Sequence, residues 1–420
     1  MILNIKNSSS LKAFAFLILV AALCLQCTDK PTQSPSTSQP IDISEAEKAL
    51  IESDNKFGLT LFRHINAAQG DSNIFISPLS ISMALGMTLN GADGATREAM
   101  EQTLELSGLT REEINHSYRH LIDLLTQLDP KVQFDIANSI WYNLYLPEPE
   151  ATFLERCQQY FDALVTALDF SLPEAAPTIN AWVEESTQGK IEEIVDDPID
   201  PDICMFLINA IYFKGSWVYQ FDESQTEDEP FYLLDGSTTT CQLMAQKAVH
   251  GHLLNENFSA VDLPYGDGSY SMTLFLPEQH RDPDDLIERM TPENVNAWLS
   301  QFASDSVDVF IPRFKLEYFR ELKDDLTALG MGIAFDPNLA NFRNMYSAMP
   351  VWISKVKHKT FVEVNEEGTE AAAVTSVEME YSAIPETPVF RADRPFVFMI
   401  RENESGTILF IGKIVDPTAG

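Results

Sequence analysis

Four carboxylates, Asp196, Asp197, Asp200 and Asp202, and a thiol pair, Cys24-Leu-Gln-Cys27, are the spacings in this chain that most resemble metal-ligand chemistry. The thiol pair lies at the end of the apolar run Ala13–Leu25, which argues for an export segment rather than a zinc knuckle. Pro198 and Pro201 interrupt the acids. They also lack the central glycine and closing glutamate of a calcium loop, so a solvated turn is the reading. Cys157, Cys204 and Cys241 are an odd number in the body; no disulfide framework follows, and each reads as a small apolar filler. The seven histidines read as scattered, without a metal-binding pair. Gly189-Lys190 falls in a helical stretch, Thr178–Val195, and lacks the earlier glycine of a phosphate loop. There is no Gly-x-Ser-x-Gly elbow and no His-Glu-x-x-His. These residues do not point to an enzyme, and they call for no metal and no cofactor.

Composition narrows the partners. The 420 residues carry 63 acids against 28 Lys and Arg, a formal charge of −35, so nucleic acid and anionic membrane surfaces are repelled. Aromatics at 10% and apolar residues at 45% are enough to build a large core. The chain starts with Lys6 and Lys12 ahead of Ala13–Leu25, the layout of a signal peptide over residues 1–26. Cys27 stands at the junction, as in a bacterial lipoprotein, where the thiol takes a lipid. The Ser-, Thr- and Pro-rich residues 27–42 then read as a flexible tether. The expected product is exported, on the cell surface or outer membrane or secreted. Membrane contact would come only through that lipid, and the body, 43–420, is expected to be monomeric.

Helices dominate the first half of that body and strands the second. Residues 44–70 place Ala49, Leu50, Phe57, Leu61 and Ile65 at helical spacing. Asn73-Ile-Phe-Ile-Ser-Pro reads as a short strand turning into a helix over Leu79–Asn90. Val132–Tyr142 alternates, and Phe206–Phe213 is a nearly continuous apolar run suited to a strand covered on both faces. Further strands are expected at Tyr270–Leu276, Val307–Phe314, Phe396–Arg401 and Thr407–Val415, with a helical interruption at Arg320–Leu329.

One segment departs from this order. His358–Asn365 alternates as a strand, Glu366-Glu367-Gly368 breaks it, and a period of two returns from Thr369 to Glu380. One parity is Thr369, Ala371, Ala373, Thr375, Val377 and Met379, all uncharged; the other keeps Glu370, Glu378 and Glu380. In a strand those sets face opposite sides. Yet alanine is a poor strand former, and two prolines follow Ser382. Two readings stand: an edge hairpin strand, or a loop that is exposed at first and becomes a strand later.

Five blocks in order resemble the serpin family. They are Asn73-Ile-Phe-Ile-Ser-Pro-Leu-Ser-Ile, Asn209-Ala-Ile-Tyr-Phe-Lys-Gly-Ser-Trp217, Phe361 through Ala373, Arg391-Ala-Asp-Arg-Pro-Phe396 and Leu409-Phe-Ile-Gly-Lys413. The resemblance spans about 43–417. It implies an α+β fold with a large central mixed sheet, two further sheets, eight to nine helices and an exposed reactive-centre loop. It also implies inhibition of a serine endopeptidase, with cysteine endopeptidases a further class. The enzyme acylates itself on the loop, and the cut loop then enters the central sheet as a new strand. A family member that only binds or carries a ligand is the alternative.

By motif position the hinge is Glu366, Glu367, Gly368, Thr369, Glu370, Ala371, Ala372, Ala373, Val374 and Thr375, with Thr369 entering first. Its small uncharged parity suits insertion, because a buried charge there costs several kcal/mol. Ser77, Ser80, Asn209 and His358 match the polar shutter under the opening sheet. Trp217, Arg313 and Glu366 match the breach where the loop enters, with Arg313 pairing Glu366. Counting 17 positions from Glu366 puts the scissile bond at Ser382–Ala383; counting back from Pro395 moves it to Ile384, and Tyr381 is the aromatic alternative. No Lys or Arg lies between Lys359 and Arg391, so elastase-like or chymotrypsin-like targets are favoured over trypsin-like ones.

Overall fold

Helix α1 (Glu45–Gln69) starts where its cap dictates: the Ser44 side chain accepts from Glu47 N and the Glu47 carboxylate returns to Ser44 N. Its apolar stripe, Leu50, Phe57, Leu61 and Ile65, is buried. Strand β1 (Ile74–Ile76) runs into α2 (Pro78–Leu89), where Ser77 accepts from Ser80 N and Pro78 occupies the first helical position. Then come α3 (Gly94–Thr103), α4 (Arg111–Leu125), β2 (Val132–Asn143), α5 (Ala151–Phe161), β3 (Leu164–Leu168), α6 (Ala175–Ser186) and β4 (Met205–Ser216). The second half holds β5 (Glu227–Tyr232), β6 (Thr238–Leu254), β7 (Phe258–Tyr265), β8 (Tyr270–Pro277), α7 (Pro283–Ile287), α8 (Pro292–Leu299), β9 (Ala303–Pro312), β10 (Phe314–Glu321) and α9 (Lys323–Leu326). It ends with β11 (Lys357–Val364), β12 (Gly368–Thr369), β13 (Val389–Arg391), β14 (Phe396–Glu402) and β15 (Ile408–Ile414). The computed structural model describes residues 41–279, 281–369 and 387–419, and these hold nine α-helices. They belong to one compact unit, Ser38–Gly420. The signal segment, Cys27 and most of the expected tether lie outside the described residues, as do Glu370–Thr375 of the hinge and Tyr381, Ser382, Ala383 and Ile384.

Two sheets carry the strands. The central one has the order β10-β11-β12-β4-β2-β3, antiparallel except for the parallel pair β2–β3. The other runs β1-β15-β14-β8-β7-β6-β9-β13, with β5 paired to β6. The two further sheets expected from the family are thus one hydrogen-bonded path here. The 17-residue β6 joins them, pairing β5 and β9 along its length and β7 at its end.

Three expectations shift. The helix predicted over Thr178–Val195 stops at Ser186, because Gln188 and Gly189 take positive φ (53° and 78°) and Gly189 N bonds back to Glu184 O at 2.7 Å. Gly189 therefore closes the helix rather than sitting inside it. The strand predicted over Val307–Phe314 is broken at Arg313, where the chain leaves one sheet for the other. And Arg320 belongs to β10, so only Lys323–Leu326 of the predicted interruption is α-helical before tighter and wider turns take over.

Candidate functional site

The seam of the central sheet lies between β4 and β11. Among the described residues these two strands share no ladder; only β12 bridges them, at one end. Thr369 pairs Val364 on β11 and Gly215 on β4, and Gly368 pairs Ser216. The reading in which Thr369 waits outside the sheet is corrected by this pairing: the first two residues are already seated, and Thr369 is 3% exposed. Gly368 is what permits it. At φ +152° its added Cβ would stand 2.1 Å from Gly215 O and 2.7 Å from Ser216 Cα, so only glycine lets the two backbones approach.

Residues around that end hold it from every side. The Thr369 and Tyr265 hydroxyls lie 2.7 Å apart, and burial raises the Tyr265 pKa. Tyr265 stacks on Trp217 with ring centroids 4.4 Å apart. Trp217 in turn donates from N to Glu367 O (3.0 Å) and from Nε1 to Asn365 O (2.9 Å). The Asn365 side chain accepts from Glu367 N and Gly368 N, which fixes the turn. Glu366, 2% exposed, is met by Arg313: Nε stands 2.6 Å from each carboxylate oxygen and Nη2 2.5 Å from Oε1. Thr226 Oγ1 also donates to it. A charge this deeply buried persists because a guanidinium fork meets it.

Lower on the seam, Ser80, Asn209 and His358 line one cleft of about 610 Å³ that continues along β4 and β11. Ser77 N donates to His358 Nε2 (3.0 Å) and Ser77 Oγ to Leu409 O (2.7 Å). Burial drives the His358 pKa down to about 3, so the ring is neutral and accepts through Nε2. Asn209 does not bond to the other three. Its Nδ2 donates to Asn138 Oδ1 across the β2–β4 ladder (2.8 Å), and Asn138 Nδ2 reaches Phe161 O (2.7 Å).

Sequence reasoning missed Asn138, Tyr265, Asn365 and Thr226. Asn138 had a signal: it falls on the apolar parity of its strand, with Phe134, Ile136 and Ile140. Tyr265 had none, since it comes from another sheet. It also passed over His116 and His120, which do stand four apart on α4. His120 Nδ1 lies 2.9 Å from Glu47, however, and His116 packs edge-on to Tyr160. Among the described residues no three His, Cys, Asp or Glu side chains are grouped to hold a metal, and no helix is long and apolar enough to cross a membrane. Cys157, Cys204 and Cys241 are free thiols, and burial pushes Cys204 and Cys241 up to about 11 and Cys157 higher still.

Comparison with known proteins fits this geometry. A family model described as serpin (serine protease inhibitor) matches residues 52–417. Serpin B8 of Homo sapiens is 36% identical over 378 residues, covering 88% of this chain and 99% of that protein. Leukocyte elastase inhibitor of Homo sapiens is 35% identical over 383 residues, with 88% and 99% covered. The native-state crystal structure of the thermophilic serpin tengpin superposes with a TM-score of 0.80 at 30% identity, over 90% of this chain and 96% of that one.

Proposed function

The chain belongs to the serpin family of serine protease inhibitors, a family not of enzymes, and on that premise we propose that it traps a serine endopeptidase as a suicide substrate. The seated β12 carries this reading: a strand already started at the mouth of a seam whose two lips share no ladder among the described residues. Extending its register one residue at a time brings Ala371 opposite Val362, Ala373 opposite Thr360 and Thr375 opposite His358. Those three partners on β11 are buried, so the small uncharged parity meets the core and the glutamate parity meets the other face.

The protease serine attacks the carbonyl of the residue before the scissile bond and forms an ester, and the new amine leaves with the β13 side. The cut strand then advances between β4 and β11. From Glu366 to Ser382 is 16 residues, which in a strand displaces the tethered enzyme about 50 Å. Arg313, Glu366 and Trp217 hold the mouth, and Ser77, Ser80, Asn209 and His358 form the polar floor over which the strand passes. The bond is Ser382–Ala383, with Tyr381 and Ile384 as alternatives. Elastase-like or chymotrypsin-like enzymes are the targets, in keeping with the absence of Lys and Arg from the loop and with a relative named leukocyte elastase inhibitor. Residues 1–26 export the chain and Cys27 carries a lipid, leaving the inhibitor at the cell surface or outer membrane.

The protein is mixed with elastase-like and chymotrypsin-like enzymes and run on denaturing gels, with mass spectrometry of the nicked product. A covalent adduct that survives detergent is expected, with a new terminus at Ala383. Cleavage without any adduct refutes trapping and favours a carrier. Labelled fatty acid should enter the wild type but not Cys27→Ser.

A further inference from the structure

Helix α6 and residues 187–204, which join it to β4, sit on one lip of the seam. Ile179, Val183, Ile191 and Val195 form a small core of their own with Trp141 of β2 and Ile208 of β4. Asn180 makes the helix and its following segment one unit: Nδ2 donates to Val195 O (2.9 Å), and Oδ1 accepts from Ile194 N (3.0 Å) and Val195 N (2.9 Å). The next residue, Asp196, reaches the opposite lip. Its carboxylate lies 2.6 Å from Lys357 Nζ, at the start of β11, and 3.2 Å from Lys355 Nζ. The Lys357 and Lys355 ammonium groups hold the Asp196 carboxyl below the usual range. Higher up, Lys190 crosses the same way, with Nζ 3.8 Å from Glu363 Oε2 and over the Phe361 ring.

We propose that Asp196, bridged to Lys355 and Lys357, is a strap across the seam that sets how fast the loop inserts after acylation. Its role rests on the inhibitory reading above. Glutamate-parity side chains of an incoming strand project toward the α6 face, so the segment lying on that face must lift or slide to admit them. A strand extending β12 in the register of Val364–Thr369 reaches Lys357 only with Ser376, the seventh residue past Thr369. The strap is therefore met at half-insertion. By then the mouth has been passed and the acyl bond is still open to water. Asp196 is a positioning residue: it touches neither the protease nor the scissile bond. Its side chain is 61% exposed, so the tie is screened by salt, and its loss speeds insertion about two- to fivefold, as befits a surface pair.

The readout is the limiting rate of trapping at saturating inhibitor, by stopped flow with fluorescently labelled chymotrypsin, beside the stoichiometry of inhibition, both from 20 mM to about 500 mM NaCl. A limiting rate is independent of how fast the two proteins meet, so salt effects on encounter do not enter. Wild type should accelerate with salt; Asp196→Asn should be about two- to fivefold faster at low salt and flat; Asp196→Glu should restore the wild-type slope. Equal limiting rates and equal salt slopes in wild type and Asp196→Asn overturn the strap alone. Absence of adduct from both overturns the inhibitory reading and the strap with it.

Discussion

Replacing Thr369 by Arg tests the seam at its mouth. Thr369 is 3% exposed, and its hydroxyl is the partner of the fully buried Tyr265 hydroxyl at 2.7 Å. Arginine removes that partner, leaving Tyr265 unsatisfied at a cost of about 1–3 kcal/mol. It also brings a cation to a place where Val364 and Gly215 close in from both sides, and burying it unpaired costs several kcal/mol more. The side chain stays out instead, and β12 does not form. Taking about 3 kcal/mol as the added barrier, insertion slows about 100-fold, since each 1.4 kcal/mol is a factor of ten. Attack on the loop is untouched, because the scissile bond is remote in sequence from Thr369. The acyl-enzyme then has time to hydrolyse. On denaturing gels with chymotrypsin-like and elastase-like proteases, the variant should give cleaved protein and almost no adduct, at an unchanged rate of loop cleavage. Thr369→Ser, which keeps the hydroxyl, should trap like the wild type. An adduct yield for Thr369→Arg within twofold of wild type would refute the burial argument.

Further outcomes follow from three sets of buried ionisable groups. Arg313→Ala strands the Glu366 carboxylate, 2% exposed, and should cost about 3–5 kcal/mol in urea unfolding. Adding Glu366→Gln should recover most of that loss, and equal destabilisation of the single and double variants would show the pair is not what holds the turn. Asp54 of α1 is buried beside Tyr118 and Ser82, and burial raises its pKa to about 7. An acid whose folded pKa exceeds its unfolded one stabilises at low pH and loses that contribution as pH rises from about 4 to 7, by up to roughly 1.4 kcal/mol per pH unit. The stability of Asp54→Asn relative to wild type should therefore climb across that window; a pH-independent difference would contradict it. His358 works the other way: with its pKa lowered to about 3, its contribution is full above 6.5 and fades toward acid.

The local grammar of this chain was legible from its residues. The turn from strand to helix at Ser77-Pro78 and the apolar stripe of α1 place helices where they form. The uncharged row Thr369, Ala371 and Ala373 marks a strand with one face to bury. Those features depend on neighbours a few residues apart, and a period of two or 3.6 states them completely. Periodicity tells which face a residue takes but not which strand lies beside it. Asn138 finds Asn209 from 71 positions away, and although the family resemblance paired Glu366 with Arg313 across 53 positions, no period in the sequence does so. Asp196 meets Lys357 across 161. Such pairs depend on sheet order, which only the packed chain settles. The same holds for Gly368. Its type suggested a break between two strands, whereas the tertiary structure made it the close approach that seats β12, because the backbone of Gly215 lies where a Cβ would be.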